Sequence, residues 1–186
     1  MNAENEPATE TQSGGGRSFT IALLIVGIVA ILMAAFLGGR SNSSRITGPT
    51  AAPEIRVAGW LNGPGPTAEE LRGQVIVLDA WAYWCGPCRA TAPELVKLHD
   101  QYRDRGVLFL GLTGEGDEVR DRNLRFLEDT KITWPNGYGA VETLTELKAD
   151  FIPQRWVIDR NYQLIWNESS SEPIEAAIDR ALAQTP

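Results

Sequence analysis

Val75-Ile76-Val77-Leu78-Asp79-Ala80-Trp81 is apolar but for one acid, too short for a helix and without the alternation of a half-exposed strand. Such a run is stable as a strand covered on both faces, so the rest of the chain must supply layers above and below a sheet. Val107-Leu108-Phe109-Leu110-Gly111-Leu112 is a second run of the same kind. Between the two, Leu95, Leu98 and Tyr102 recur at helical spacing among Glu94, Lys97, Asp100 and Arg103, and Gly106 supplies the stop. Two buried strands joined by a helix make a βαβ unit, which predicts an α/β fold with parallel strands at its centre. Further on, Val119 to Thr130 reads as a helix with Leu124 and Leu127 turned inward. A loop follows around Trp134-Pro135-Asn136-Gly137-Tyr138-Gly139, then a short helix near Val141 to Lys148. Strands are expected over Arg155 to Ile158 and Gln163 to Trp166, with Asp159-Arg160-Asn161-Tyr162 as their hairpin turn. Ser171 can cap a last helix that has Pro173 in its first turn and runs to about Leu182.

These elements occupy only part of the 186 residues. Residues 1–17 hold no Ile, Leu, Val or aromatic side chain and read as a disordered tail, because they cannot bury enough surface to offset ordering entropy. Residues 18–39 carry no charge and are dominated by Ile, Leu, Val, Ala and Phe. As a helix they would span roughly 33 Å, the thickness of a bilayer core. A cleaved secretory signal is the alternative, but its apolar region runs only about 7–15 residues, so the length favours a single uncleaved transmembrane helix. Residues 40–53 are rich in Ser, Gly and Pro and read as a linker. That leaves 54–186 for one folded domain.

Composition excludes several classes. A net charge of −7 and a pI near 4.8, with no basic stripe, argue against nucleic acid as a partner. One histidine and two cysteines cannot close a tetrahedral zinc site without carboxylate help.

Both cysteines fall in Trp84-Cys85-Gly86-Pro87-Cys88, directly after the first strand and at the start of the first helix. Residues i and i+3 of a first helical turn lie about 5–6 Å apart, within reach of a disulfide, so the bond can open and close with little backbone movement. Cys85 would meet the positive end of the helix dipole and unpaired N–H groups, which favour the thiolate. Cys88, one turn inside, is expected to be less exposed and to act as the resolving thiol. Pro87 suits an opening turn, where its missing N–H costs nothing.

The stretch from Trp81 to Arg89, with Pro93-Glu94-Leu95 after it and the apolar segment before it, resembles the thioredoxin superfamily, and most closely the membrane-anchored TlpA/ResA-like thiol-disulfide oxidoreductases. The resemblance implies a thioredoxin fold, a central mixed β-sheet flanked by helices, preceded by a single transmembrane helix. It implies a kink at Pro93 and a cis bond at Ile152-Pro153, a bond that the sequence by itself would make trans because only about 5–6% of X–Pro bonds are cis. It further implies that Ile152, Pro153, Trp84, Gly86 and Pro87 meet an extended substrate segment beside Cys85. Gln154-Arg155 depart from the family pattern, which has a small Thr after the proline. Asp79, six residues before Cys85, resembles the buried acid that thioredoxins keep beneath their cysteines. Desolvated there, its carboxyl pKa would rise and it could accept the Cys88 proton. Glu115, in Thr113-Gly114-Glu115-Gly116, resembles the acid that ResA-like proteins place near theirs. His99, with polar neighbours in mid-helix, reads as a solvated side chain.

Together these observations predict a dithiol–disulfide exchange enzyme that needs no cofactor. The resemblance implies protein disulfides outside the cytoplasm as substrates, cytochrome c maturation as a setting, and a membrane reductase as the partner that regenerates the dithiol. A disulfide-forming oxidant of the same fold and a metal-carrying or chaperone module are the alternatives. The Pro-x-x-x-Thr-x-x-Cys context of a peroxiredoxin is absent. Arginine placement opposes the expected topology, since Arg17 alone closely precedes the apolar segment while Arg40, Arg45 and Arg56 follow it.

Overall fold

The computed structural model of the chain describes residues 27–28, 46 and 48–184. The expected tail, nearly all of the expected membrane-spanning helix at 18–39, and half of the linker at 40–53 lie outside the described residues. The chain divides into two units, Met1–Asn42 and Ser43–Pro186, and the whole of the sheet belongs to the second. Among the described residues no helix is long and apolar enough to cross a membrane.

Seven strands form one mixed sheet: β1 (Thr50–Ala51), β2 (Gly59–Leu61), β3 (Val75–Ala80), β4 (Val107–Leu112), β5 (Asn136–Tyr138), β6 (Gln154–Ile158) and β7 (Gln163–Asn167), in the order β1-β7-β6-β3-β4-β5-β2. Strand β3 is central, parallel to β4 and antiparallel to β6, and all six of its residues are buried. Its alternation divides the core. Val75, Val77 and Trp81 face helices α1 (Gly86–Tyr102), α2 (Arg120–Thr130) and α4 (Ile174–Ala183) through Leu95, Leu98, Tyr102, Phe126, Leu127 and Ile178. Ile76, Leu78 and Ala80 face the other way, toward Leu71, Ala140 and Leu147 around the short helix α3 (Val141–Glu146). The βαβ unit therefore has cover on both faces, as the two apolar runs require.

Several expectations are corrected. Leu124 is on the outer flank of α2, 36% exposed, because the buried stripe is Asn123, Phe126, Leu127 and Thr130 and Leu124 lies about 100° round the helix from Asn123. The stretch expected to be linker ends inside the sheet, where Thr50 and Ala51 pair with Leu164 and Gln163 of β7. The loop at 134–139 contains a strand, since Asn136 and Gly137 extend the sheet beside Gly111 and Leu112. Pro173 itself is the N-cap of α4, with no side-chain cap, so Ser171 does not start that helix. Pro93 lies inside helix α1, at the place where the resemblance implies a kink. His99 is not solvated: its ring packs edge-on against Phe109 at 5.1 Å and beside Trp134 at 4.7 Å, and burial lowers its pKa.

Candidate active site

Strand β3 and helix α1 are joined by a few residues only, so the end of the strand and the first turn of the helix are fixed against each other. Cys85 is the N-cap of α1, and its Sγ accepts a hydrogen bond from the Cys88 N–H at 3.0 Å. The first turn carries Pro87 and no acidic side chain, so nothing offsets the positive helix end felt by that sulfur. Cys85 and Cys88 form a disulfide with a Cα–Cα distance of 5.3 Å. Their exposures, 4% and 5%, do not separate them as expected. What separates them is surroundings: the Cys85 sulfur accepts from the Cys88 backbone amide, whereas Cys88 borders a cavity.

That cavity, about 10 Å³, has room for a single water molecule. Asp79, Cys88, Thr91, Phe126, Pro153 and Arg155 are among its walls. Asp79 reaches it because odd-numbered β3 residues face α1, and the carboxyl there is 6% exposed. Its pKa is pushed up to about 7, chiefly by burial, with the Arg155 charge pulling it back and the Glu168 charge pushing it further up. Opposite Asp79 in the sheet register stand Gly111 on β4 and Arg155 on β6. The missing side chain of Gly111 leaves space for the Asn136 carboxamide, which accepts from the Trp81 indole at 2.8 Å and donates to the Trp134 carbonyl at 2.7 Å. Trp81 in turn stacks on Phe126 at 4.6 Å.

The rim is built differently. Trp84 is 63% exposed, and its indole N–H donates to the Glu115 carboxylate at 2.8 Å. Glu115 thus meets the site through Trp84, and among the described residues no hydrogen bond joins it to either sulfur. Gly86 and Pro87 are exposed beside Cys85. The Ile152–Pro153 bond is cis, as the resemblance implies. Pro153 lines the cavity with Cys88, while Ile152 is half-buried and packs on both cores. Phe151, just before them, is 45% exposed.

Sequence reasoning missed two participants. Arg155 was visible only as a departure from the family pattern; strand alternation, applied to β6 as to β3, would have aimed it at the Asp79 face. Glu168 lies beyond β7 and binds the Arg155 guanidinium with both oxygens, at 2.9 Å to Nε and 2.6 Å to the terminal nitrogen. No local signal announces that pairing. Among the described residues no group of three or more His, Cys, Asp or Glu is gathered to hold a metal.

The geometry finds a counterpart among known proteins. The Redoxin family pattern matches residues 50–182, from the first strand to the last helix. The chain belongs to the Redoxin family. Thiol-disulfide oxidoreductase ResA of Bacillus cereus is 21% identical over 169 residues, covering 87% of this chain and 94% of ResA. Protein DipZ of Mycobacterium tuberculosis is 29% identical over 107 residues, 55% of this chain, and this Redoxin-family chain spans only 15% of DipZ. In fold it is similar to a thiol-disulfide isomerase from Corynebacterium glutamicum, with a TM-score of 0.63 at 20% identity over 72% of this chain and 97% of that one. The fold is thioredoxin-like, and the site of this Redoxin-family member holds a Cys-x-x-Cys disulfide.

Proposed function

We propose that the chain is a membrane-tethered reductant of protein disulfides outside the cytoplasm, with cytochrome c maturation as its setting. The Cys85 thiolate attacks a client disulfide, breaking the client S–S bond and forming a Cys85–client mixed disulfide with one client thiolate released. Cys88 gives its proton to the Asp79 carboxylate, directly or through the single water that the cavity can hold, and its thiolate attacks the Cys85 sulfur. The Cys85–Cys88 bond forms, the second client thiolate leaves, and two electrons have passed to the client. A membrane reductase then restores the dithiol.

The observation that carries this reading is the shared cavity of Cys88 and Asp79, which gives one sulfur a proton acceptor while the other caps the helix. Exposed Trp84 and Phe151, flanking the two segments that meet there, suit an extended apolar client segment laid against the cis Ile152–Pro153 bond. Tethering rests on the uncharged run at 18–39, and a site outside the cytoplasm on the resemblance that the Trp81–Arg89 motif bears to the membrane-anchored TlpA/ResA-like proteins.

Expression of the full chain carrying Cys88→Ser tests the proposal, because without the resolving thiol the mixed disulfide persists. Clients captured on Cys85 should be extracytoplasmic proteins and should sediment with membranes alongside the enzyme. Capture of cytoplasmic proteins alone would overturn the location, and a soluble adduct the tether. An adduct that still resolves would overturn the role of Cys88.

A further inference from the structure

The floor of the site contains an ion pair that the exchange reaction does not obviously need. Arg155 stands directly across from Asp79 in the β3–β6 register, and both side chains line the one-water cavity beneath Cys88. Its guanidinium is nonetheless turned to Glu168, which holds it through two parallel hydrogen bonds. A two-toothed Arg–carboxylate pair fixes the guanidinium plane and places a negative charge where it opposes the arginine's own field. Both members are largely shielded, with side-chain exposures of 21% and 29%, so water screens their effect on the cavity only in part.

We infer that the Arg155–Glu168 pair is a positioning device that sets how readily Asp79 accepts the Cys88 proton. The inference rests on Asp79 being that acceptor, as proposed above. Held by Glu168, Arg155 can steady the carboxylate at a distance without capturing it. An unpaired arginine at that register would lock Asp79 as a permanently charged, weakly basic partner. With no cation at all, the carboxyl in this apolar floor would stay protonated through neutrality and could take no proton from Cys88. The pair therefore holds Asp79 between the two extremes, near the pH at which exchange runs.

The other groups facing Asp79 leave this role to the pair. Strand β4 offers Gly111, helix α2 offers Phe126, and helix α1 offers Cys88 and Thr91, with Glu94 acting on Arg155 rather than on Asp79. Among the residues lining the cavity, Arg155 is the only ionisable side chain besides Asp79 and Cys88. The Arg155 charge itself is secure. Burial works against it, but the Glu168, Asp79 and Glu94 carboxylates together, Glu168 foremost, raise its pKa above the usual arginine value.

The test follows Cys88 attack by stopped-flow reduction of dithiobis(nitrobenzoate), in which the second release of coloured thiolate reports resolution of the mixed disulfide. Its rate is measured against pH for the full chain, Arg155→Gln, Arg155→Lys, Glu168→Gln and Asp79→Asn. Glu168→Gln should move the acid limb to lower pH, because Asp79 then feels the whole arginine charge. Arg155→Gln should move it to higher pH, because the cation is gone and an unpaired Glu168 remains. Each displacement is on the order of one pH unit, and Arg155→Lys should return most of it. A merely structural pair would lower the rate in both variants without moving the limb in opposite directions, and that result overturns the inference. If Asp79→Asn abolishes the limb while the pair variants leave it in place, Asp79 remains the acceptor and only the pair's role falls. If Asp79→Asn leaves the limb untouched, both fall.

Discussion

The floor and the rim of the site each present a carboxylate near the cysteines, and they treat it in opposite ways. Asp79 on the floor is walled in by strand, helix and proline, 6% exposed, with its pKa raised to about 7. Glu115 on the rim reaches out from a glycine-flanked loop and accepts a hydrogen bond from an indole that is itself 63% exposed. On the proposed mechanism one chemical group thus serves two ends, set by its burial: a proton acceptor on the floor, and a hydrogen-bonded bracket for an exposed aromatic on the rim. The division also orders the chemistry. On the same proposed mechanism, proton transfer belongs to the enclosed half and client recognition to the open half, with the disulfide between them.

The sharpest way to break that contrast is to remove the buried charge. With Asp79→Asn, reductive turnover at neutral pH should fall by about 100-fold, within the range of a lost general base. Stability should move the other way. An ordinary Asp ionises near 3.8, whereas this one does so near 7, so the folded state holds an extra proton between those values. The contribution of Asp79 to stability is therefore full below the lower value and is lost as pH rises through the upper one, a loss on the order of 4 kcal/mol. Urea unfolding of the oxidised protein from about pH 4 to pH 8 measures it: the wild type should weaken as pH rises across that range, and Asp79→Asn should flatten the curve. A flat wild-type curve would place the carboxyl in a wetter setting than the cavity implies.

Packing tolerance should divide along the same line. A methyl group added at Gly111 meets the Asn136 carboxamide and the Trp81 indole, so Gly111→Ala should cost about 2–3 kcal/mol through overpacking. A methyl group added at Gly86 meets nothing within 4 Å, so Gly86→Ala should change stability by less than about 0.5 kcal/mol. Thermal unfolding of the two variants side by side gives the comparison, and equal costs would show that the floor is not the tighter half.

How much of this was legible in the sequence follows the same boundary. Apolar runs of the right length marked β3 and β4, and the spacing of Leu95, Leu98 and Tyr102 marked α1, because each is decided within a dozen residues. The disulfide pair and the cis bond at Pro153 came with the family resemblance and its motif. Strand β5 did not: Asn136-Gly137-Tyr138 has turn chemistry, and it is a strand only because Gly111 leaves a gap that Asn136 fills from 25 residues away. Leu124 misled because an isolated leucine on a helix says nothing of which flank will meet Trp81. Glu168 was invisible for the same reason, since its partner lies across a hairpin and the meaning of the pair depends on a third strand.

On the rim, effects should be smaller and should fall on binding. Trp84→Ala removes the largest exposed aromatic beside Cys85, and KM for a protein disulfide substrate should rise about fivefold, roughly 1 kcal/mol, with kcat within about twofold. A fall in kcat with unchanged KM would move Trp84 from recognition to chemistry.

Smallest of all should be Glu115→Gln. The amide oxygen can still accept from the Trp84 indole, so the bracket survives as a neutral hydrogen bond in place of a charge-assisted one, and KM should change by no more than about twofold. The decisive measurement is the acid limb of Cys88 attack, which should stay where the wild type has it. Glu115 is half-buried with its side chain engaged by an indole N–H, and among the described residues no hydrogen bond joins it to either sulfur. A displaced limb in Glu115→Gln would mean that the loop closes over the disulfide during turnover and that the rim shares in proton transfer, which would dissolve the distinction between the two halves.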